Sequence, residues 1–311
     1  MQKILLQVVL MKNLTAYIAI IVAMIIWSSS VIATGIGLES FRPLTLVTMR
    51  FTLAVALMFA VGCATKSLQR LDKHDIKLFL AAGIIQPFCY YMLETYGLKL
   101  LASPTISEVI LSTGPLFAPL FAFVLLRERV TWNNIVGIII STIGVLMLIT
   151  NTGNFAIASP AGLLLLFGAV FAAVLYTVLL RKIPTKYNSL TIVFYVQAFS
   201  LLLFYPAFCI IDLPHCATFA FSWKSFAAVV YLAIFASVAA FVLFCYVVRR
   251  IGVTRANAFN NIRPAFTALL MLLLFGEQLT WSKWLGIGLV IGGLFICQSS
   301  HKLFTFNKLR K

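Results

Sequence analysis

Hydrophobic residues in this chain come in long unbroken blocks, and most charged residues are collected in the short segments between them. Neither the strict alternation of a half-buried strand nor the narrow apolar stripe of a surface helix organises them. Blocks of about 17–24 residues, long enough at ~1.5 Å per residue to carry a helix through a ~30 Å hydrocarbon layer, recur along the chain. They lie near 14–34, 43–63, 76–98, 104–126, 133–150, 160–180, 190–211, 225–248, 256–275 and 282–300. The pattern predicts an all-α integral membrane protein of about ten transmembrane helices, with the lipid bilayer as its surroundings. No connecting segment is long enough for a folded domain, so the function is carried out inside or across the bilayer. That excludes most soluble enzyme classes.

Composition and charge refine this picture. Only 10% of the 311 residues are charged and 62% are hydrophobic, with a mean hydropathy of +1.04, too little polar surface for a soluble protein. A net charge of +16 raises the question of a nucleic-acid partner, but the placement of the charges argues against one. With the N-terminus in the cytoplasm, Lys66, Arg70, Lys73, Arg127, Arg129, Arg181, Lys182, Arg249 and Arg250 all fall on that side, while the outer segments hold only Arg42, Lys99, Lys224 and Lys283. This positive-inside distribution predicts a multi-pass protein of a bacterial-type inner membrane with both termini cytoplasmic. The basic tail 301–311 is read as a topology signal before a headgroup-binding one. The opening "MQKILLQVVL" is a poor signal peptide, and translation from Met1 or from Met11 both stay open. The six cysteines lack CxxC spacing and are read as packing residues. Cys209, Asp212, His215 and Cys216 gather at one outer span end, but their spacing matches no familiar metal site. Neither a metal nor a cofactor is expected.

The phrase "ERVTW" at 128–132 returns as "EQLTW" at 277–281. Sliding the chain over itself by the same 149 positions (128 to 277) brings Pro115 onto Pro264, Glu128 onto Glu277, Thr131 and Trp132 onto Thr280 and Trp281, and Gly137 and Gly144 onto Gly286 and Gly293. Apolar composition alone would not align these together, so the chain contains an internal duplication of about five spans. An odd number of spans turns the second copy upside down, and the charges follow: Arg127 and Arg129 align with Gly276 and Gln278, while Leu100 and Leu101 align with Arg249 and Arg250. Inverted repeats of this kind are the architecture of secondary transporters.

The segments beginning "SPTISEVILSTGPLFAPLFAFVLLRERVTW" and "VTRANAFNNIRPAFTALLMLLLFGEQLTW" resemble the EamA domain of the drug/metabolite transporter superfamily. The resemblance implies two five-helix repeats, here 12–152 and 158–300, around a central cavity, with the basic tail 301–311 following. It also implies that the fifth and tenth spans form a packing or homodimer surface, and that small metabolites such as amino acids are exported. Pro115, Glu128, Pro264 and Glu277 match the family pattern, and these motifs identify the fold better than the substrate.

In the repeated phrase, Thr131 and Thr280 are read as helix N-caps, with Glu128 and Glu277 favouring the positive end of the same helix. Trp132 and Trp281 fall at the two membrane interfaces, and Gly286, Gly288, Gly292 and Gly293 offer small faces for packing. Functional candidates are the polar groups inside spans, which at the bilayer centre need a partner or a wet cavity. Arg50, Glu94, Glu108 and Arg263 stand out, with an Arg50–carboxylate pair beside the cavity as the preferred arrangement and Glu94 and Glu108 as proton-coupling candidates, hydrated outer-interface carboxylates being the alternative. Trp27 with Ser28, and the aligned Tyr176, suggest an aromatic and a hydroxyl from each repeat facing a central site; ordinary helix packing is the alternative. Gln86 before Pro87, with Tyr90, bends the third span beside the same cavity, and Gln197 reaches it from the seventh. In the ninth span Asn257, Asn261 and Arg263 precede Pro264; Arg263 suits a substrate carboxylate or, equally, a structural or snorkelling role.

Two functional classes follow. One is a secondary transporter for a small-molecule substrate, most simply amino acids or related metabolites, with lipophilic drugs or sugar conjugates as the alternative cargo. The other is a membrane-embedded enzyme or receptor. His74, His215 and His301 all lie outside the spans and no P-loop is present, so the sequence favours the transporter.

Overall fold

The computed structural model of the protein describes residues 2–101, 110–111, 113–128, 130–149, 159–214, 222–275 and 280–299. Among these residues the chain forms ten helical stretches and no strand. They are α1 (Gln2–Leu38), α2 (Pro43–Ala64), α3 (Ile76–Gly83, a π segment Ile84–Cys89, then Tyr90–Leu101), α4 (Gly114–Leu126) and α5 (Trp132–Ile149). The second half gives α6 (Pro160–Lys182), α7 (Ser189–Ile211), α8 (Trp223–Tyr231, a π segment Leu232–Ala239, then Ala240–Ile251), α9 (Val253–Ala258, a 3-10 turn Phe259–Ile262, then Arg263–Phe275) and α10 (Trp281–Ser299). Six stretches are long and apolar enough to cross a membrane, and three further apolar helices are shorter. The tail 301–311 and the first part of the span predicted at 104–126 lie outside the described residues.

The helix starts follow from local chemistry. α2 and α6 place a proline in the first turn, where its missing N–H removes no internal bond. Asn188 accepts the Thr191 amide at 2.7 Å to cap α7. At α5 the Asn134 side-chain oxygen accepts from both the amide and the hydroxyl of Thr131, so the expected cap forms with asparagine as its reciprocal partner. Trp132 and Trp281 are 77% and 76% exposed at the first turns of α5 and α10.

The halves interlock. α1 packs chiefly on α8, the second part of α3 on α6, α2 on α7, α4 on α9, and α5 on α10 along their whole lengths. Shifting by half the chain exchanges α1·α8 with α6·α3 and maps each of the other three pairs onto itself. The π segments obey the same shift, since 84–89 moved by 149 positions is 233–238. Pro87 signals the first break in the sequence; the second contains no proline and no sequence signal of that kind.

α5 and α10 run antiparallel, because Gly137 lies against Gly293 and Cys297 while Gly144 lies against Gly286 and Val290. A methyl group at Gly137 would sit 2.5 Å from the Gly293 carbonyl oxygen, so the backbones approach as only glycine allows. The expectation of four packing glycines in α10 holds for Gly286 and Gly293; Gly288 and Gly292 have nothing within 4 Å.

Candidate functional site: a cavity between the two halves

A cavity of about 570 Å³ lies between α1, α2 and α3 on one side and α4, α6, α8 and α9 on the other. Its lining runs from the α1–α2 connection, where Leu38 and Pro43 stand, to Trp27, Thr177 and Asn257. The two halves contribute by equivalent positions on the fourth helix of each: Leu111 and Gly114 from one, Asn260 and Arg263 from the other, 149 positions apart. A smaller pocket of about 200 Å³ between α2, α3 and α7 shares Pro43, Val47, Tyr91 and Thr95 with it.

Seven of the residues singled out in the sequence line the cavity. Trp27 stands edge-on to Phe241 at 5.3 Å between ring centres, and the Arg263 guanidinium lies 5.9 Å from its ring. Across from them the non-helical backbone of Gln86 (φ −147°, ψ 121°) re-aims α3, so that Tyr90 and Glu94 face inward one turn apart and the Tyr90 hydroxyl donates to Glu94 Oε1 at 2.9 Å. Asn257 donates to the Thr177 hydroxyl and to the Val253 carbonyl, both at 3.0 Å, and accepts from Asn260 at 3.4 Å.

Arg50 is 4% exposed and also lines the cavity. Its described donors go to neutral hydroxyls rather than to a carboxylate: Nε to Ser237 Oγ at 2.5 Å and a terminal nitrogen to Tyr91 at 3.1 Å. The guanidinium lies over Phe51 and Tyr91 as well, so that ring faces and hydroxyls hold the cation among the described residues. Glu108 lies outside the described residues; its equivalent position is Asn257.

Four expected residues sit between helices instead. Ser28 donates to the carbonyls of Met24 and Arg263, Gln197 to the Ser237 carbonyl at 2.6 Å, and Asn261 to Ser141 at 2.6 Å, tying α1 to α9, α7 to α8 and α9 to α5. Tyr176, 1% exposed, packs edge-on to Phe241, and its neighbour Thr177 lines the cavity in its place. The symmetric pair of aromatic and hydroxyl is thus absent here: Trp27 and Thr177 line the cavity, while Ser28 and Tyr176 do not. Thr34, Phe241 and Phe244 were missed. Thr34 lies two turns from Trp27 on one helix face and was accessible to periodicity, whereas nothing polar marks the two phenylalanines of α8.

One turn along α6 from Thr177 and along α9 from Asn257, charged groups of the two halves meet. Glu128 accepts the Val253 amide at 3.3 Å and lies 3.9 Å from Arg181. It therefore serves the start of α9, not that of α5 as expected from sequence spacing, because Arg127 turns the chain in the left-handed region (φ 54°). Gly252, at φ 88°, leaves room for this carboxylate: a Cβ there would lie 3.2 Å from both of its oxygens. Nearby, Arg249 donates to the carbonyls of Tyr187 and Pro184, and Lys186 binds Asp72 and Asp75 at 2.5 and 2.7 Å. The hydrogen bonds from Lys186 and Tyr187 hold the Asp75 carboxyl below its ordinary value, and those to Asp72 and Asp75 raise Lys186. At the start of α2, Asp212 accepts from the amide and hydroxyl of Thr45 at 2.8 and 2.9 Å, capping that helix. Of the Cys209–Asp212–His215–Cys216 grouping, His215 and Cys216 lie outside the described residues.

Comparison with known proteins agrees with this architecture. The sequence model of the EamA-like transporter family matches the chain twice, over residues 14–150 and 160–297. An uncharacterised transporter of Bacillus subtilis strain 168, YetK, is 26% identical over 296 residues, covering 93% of this chain and 88% of its own. A probable terminal-alkyne amino-acid exporter of Streptantibioticus cattleyicolor is 26% identical over 273 residues, covering 86% of this chain and 88% of that protein. A solved crystal structure superposes with a TM-score of 0.77 at 20% identity, over 92% of this chain and 96% of the other, which establishes the fold. With both halves matched and the fold shared, the chain belongs to the EamA-like transporter family and is a multi-pass membrane protein.

Proposed function

We propose that the protein is a secondary transporter that exports amino acids or closely related zwitterions across a bacterial-type inner membrane by alternating access between two inverted five-helix repeats. The observation that carries this reading is a cavity between the halves lined by charged, polar and aromatic side chains, beyond whose Trp27–Asn257 end Glu128 joins the halves through Arg181 and the Val253 amide. Its lining supplies cations (Arg50, Arg263) for a carboxylate, an anion (Glu94) for an amine, and an apolar wall (Trp27, Phe241, Phe244) for a side chain. The antiparallel pairing of α5 with α10 at equivalent glycines supports the inversion. The positive-inside rule puts the Glu128 end, with Arg181, Lys186 and Arg249, in the cytoplasm together with both termini. The amino-acid exporter among its relatives supports the substrate class.

The test is uptake of a mixed pool of amino acids and small metabolites into proteoliposomes containing the purified chain, read by mass spectrometry with and without an imposed pH gradient. Saturable accumulation of particular amino acids is expected. Accumulation of lipophilic compounds or sugar conjugates alone would replace the substrate class, and chemical conversion of a pool member would point to an enzyme.

A further inference from the structure

The π segment Leu232–Ala239 of α8 is held by side chains from three other helices, and two of them line the cavity. A π segment displaces the helical hydrogen-bond ladder and offers its carbonyls to outside donors. Here Trp27 Nε1 of α1 donates to the Ala236 carbonyl at 3.1 Å, Gln197 Nε2 of α7 to the Ser237 carbonyl at 2.6 Å, and Arg50 Nε of α2 to Ser237 Oγ at 2.5 Å. Ser237 is fully buried. The equivalent break in α3 has Phe88 at the position of Ser237, and Tyr176, Phe199 and Thr48 at the positions of Trp27, Arg50 and Gln197. None of these equivalent positions carries a guanidinium or an indole N–H, so this lock is not repeated at the break in α3.

We propose that Ser237 is a positioning residue of the transport cycle: through it, Arg50 holds the break in α8 in the arrangement that keeps the cavity open. The inference rests on the transporter reading above and extends it to how an anionic ligand would be sensed. The partner of Arg50 Nε is a neutral hydroxyl, and a carboxylate accepts more strongly from a guanidinium than a hydroxyl does. An incoming carboxylate therefore draws Arg50 from Ser237 and frees the α8 segment. Arg263 reaches the same segment indirectly, through the ring of Trp27.

Hydrogen exchange read by mass spectrometry on the full chain in nanodiscs compares the wild type with Ser237→Ala and Ser237→Thr. Exchange of the amides at 232–239 is expected to rise roughly tenfold in Ser237→Ala, with protection elsewhere unchanged and with threonine restoring it. Labelled L-leucine uptake should show a maximal rate several-fold lower, with a half-saturation concentration no higher than in the wild type because Ser237 no longer competes for Arg50. Should Ser237→Ala not fold, Trp27→Phe removes the indole donor while keeping a ring, and the same rise at 232–239 is expected. Wild-type protection at 232–239 in these variants overturns the lock. A raised half-saturation at an unaltered rate also overturns it, by placing Ser237 at the ligand. If the wild type carries no amino acid, the exchange data alone decide the lock, and it is the substrate reading that falls.

Discussion

At the scale of single residues, the cavity separates two tasks that look alike in the sequence. Arg50 and Arg263 are both intramembrane arginines, yet Arg50 is engaged by Ser237, Tyr91 and two ring faces, while Arg263 lies by Trp27 on the cavity wall. Arg263→Gln should raise the half-saturation concentration for a carboxylate-bearing substrate by roughly 10- to 150-fold, the worth of a charged hydrogen bond of about 1.5–3 kcal/mol. Uptake titrations on Arg263→Gln and Arg263→Lys check this, and equal affinity in wild type and Arg263→Gln would remove Arg263 from the site. Glu94 is the described carboxylate on the cavity wall, and its bond from Tyr90 fixes its aim. Glu94→Gln is expected to abolish the response of uptake to an imposed pH gradient while leaving exchange without a gradient intact. A pH response equal to that of the wild type would take proton coupling away from this residue.

At the scale of elements, the placement of helices was legible and their irregularities were not. Block length and charge punctuation located all ten spans, because the cost of an unpaired backbone group in hydrocarbon leaves continuous helix as the default. The duplication foretold that equivalent glycines mattered, and Gly137, Gly144, Gly286 and Gly293 meet where α5 crosses α10. The break in α8 was hidden because it rests on partners from α1, α2 and α7 that are distant in the chain. For the same reason Gln197 and Asn261 were read as cavity residues: a polar side chain in a span reveals that it needs a partner, not whether that partner is a ligand or a neighbouring helix. The glycine contact carries its own prediction. Gly137→Leu forces α5 from α10 and should destabilise the protein by about 1–3 kcal/mol or more, read as a lower thermal midpoint in detergent. Gly288→Leu, where nothing lies within 4 Å, should leave that midpoint unchanged.

At the scale of the molecule, the contacts around Glu128 have no counterpart at the equivalent positions of the other half. The charged loops beside them are held across neutral pH. Asp75 is lowered, so its contribution is complete above the ordinary carboxyl value of 3.8 and is lost as pH falls through the folded value; Lys186 is raised, so its contribution is complete below 10.5 and is lost only at higher pH. Accessibility of the loop at 183–188 to an added protease should stay constant from about pH 5 to 9 and rise in stronger acid. The deeper contact is Glu128, which joins Arg181 to the start of α9. Under the shift of 149 positions Arg181 corresponds to Ile32 and Val253 to Pro104, which has no N–H to donate. The equivalent positions therefore carry neither that cation nor that amide, and under the alternating-access reading proposed above the conformation held by Glu128 is the one expected to be favoured. Glu128→Ala removes an ion pair worth about 0.2–1 kcal/mol and a cap worth about 0.5–2 kcal/mol, enough to shift the two states by several-fold. A cysteine at Ala256, fully buried near the start of α9, should then react several times faster with a membrane-impermeant thiol reagent added at the Glu128 end. Labelling as slow as in the parent protein would mean that this conformation is held by the loops around Lys186 and Arg249, not by Glu128.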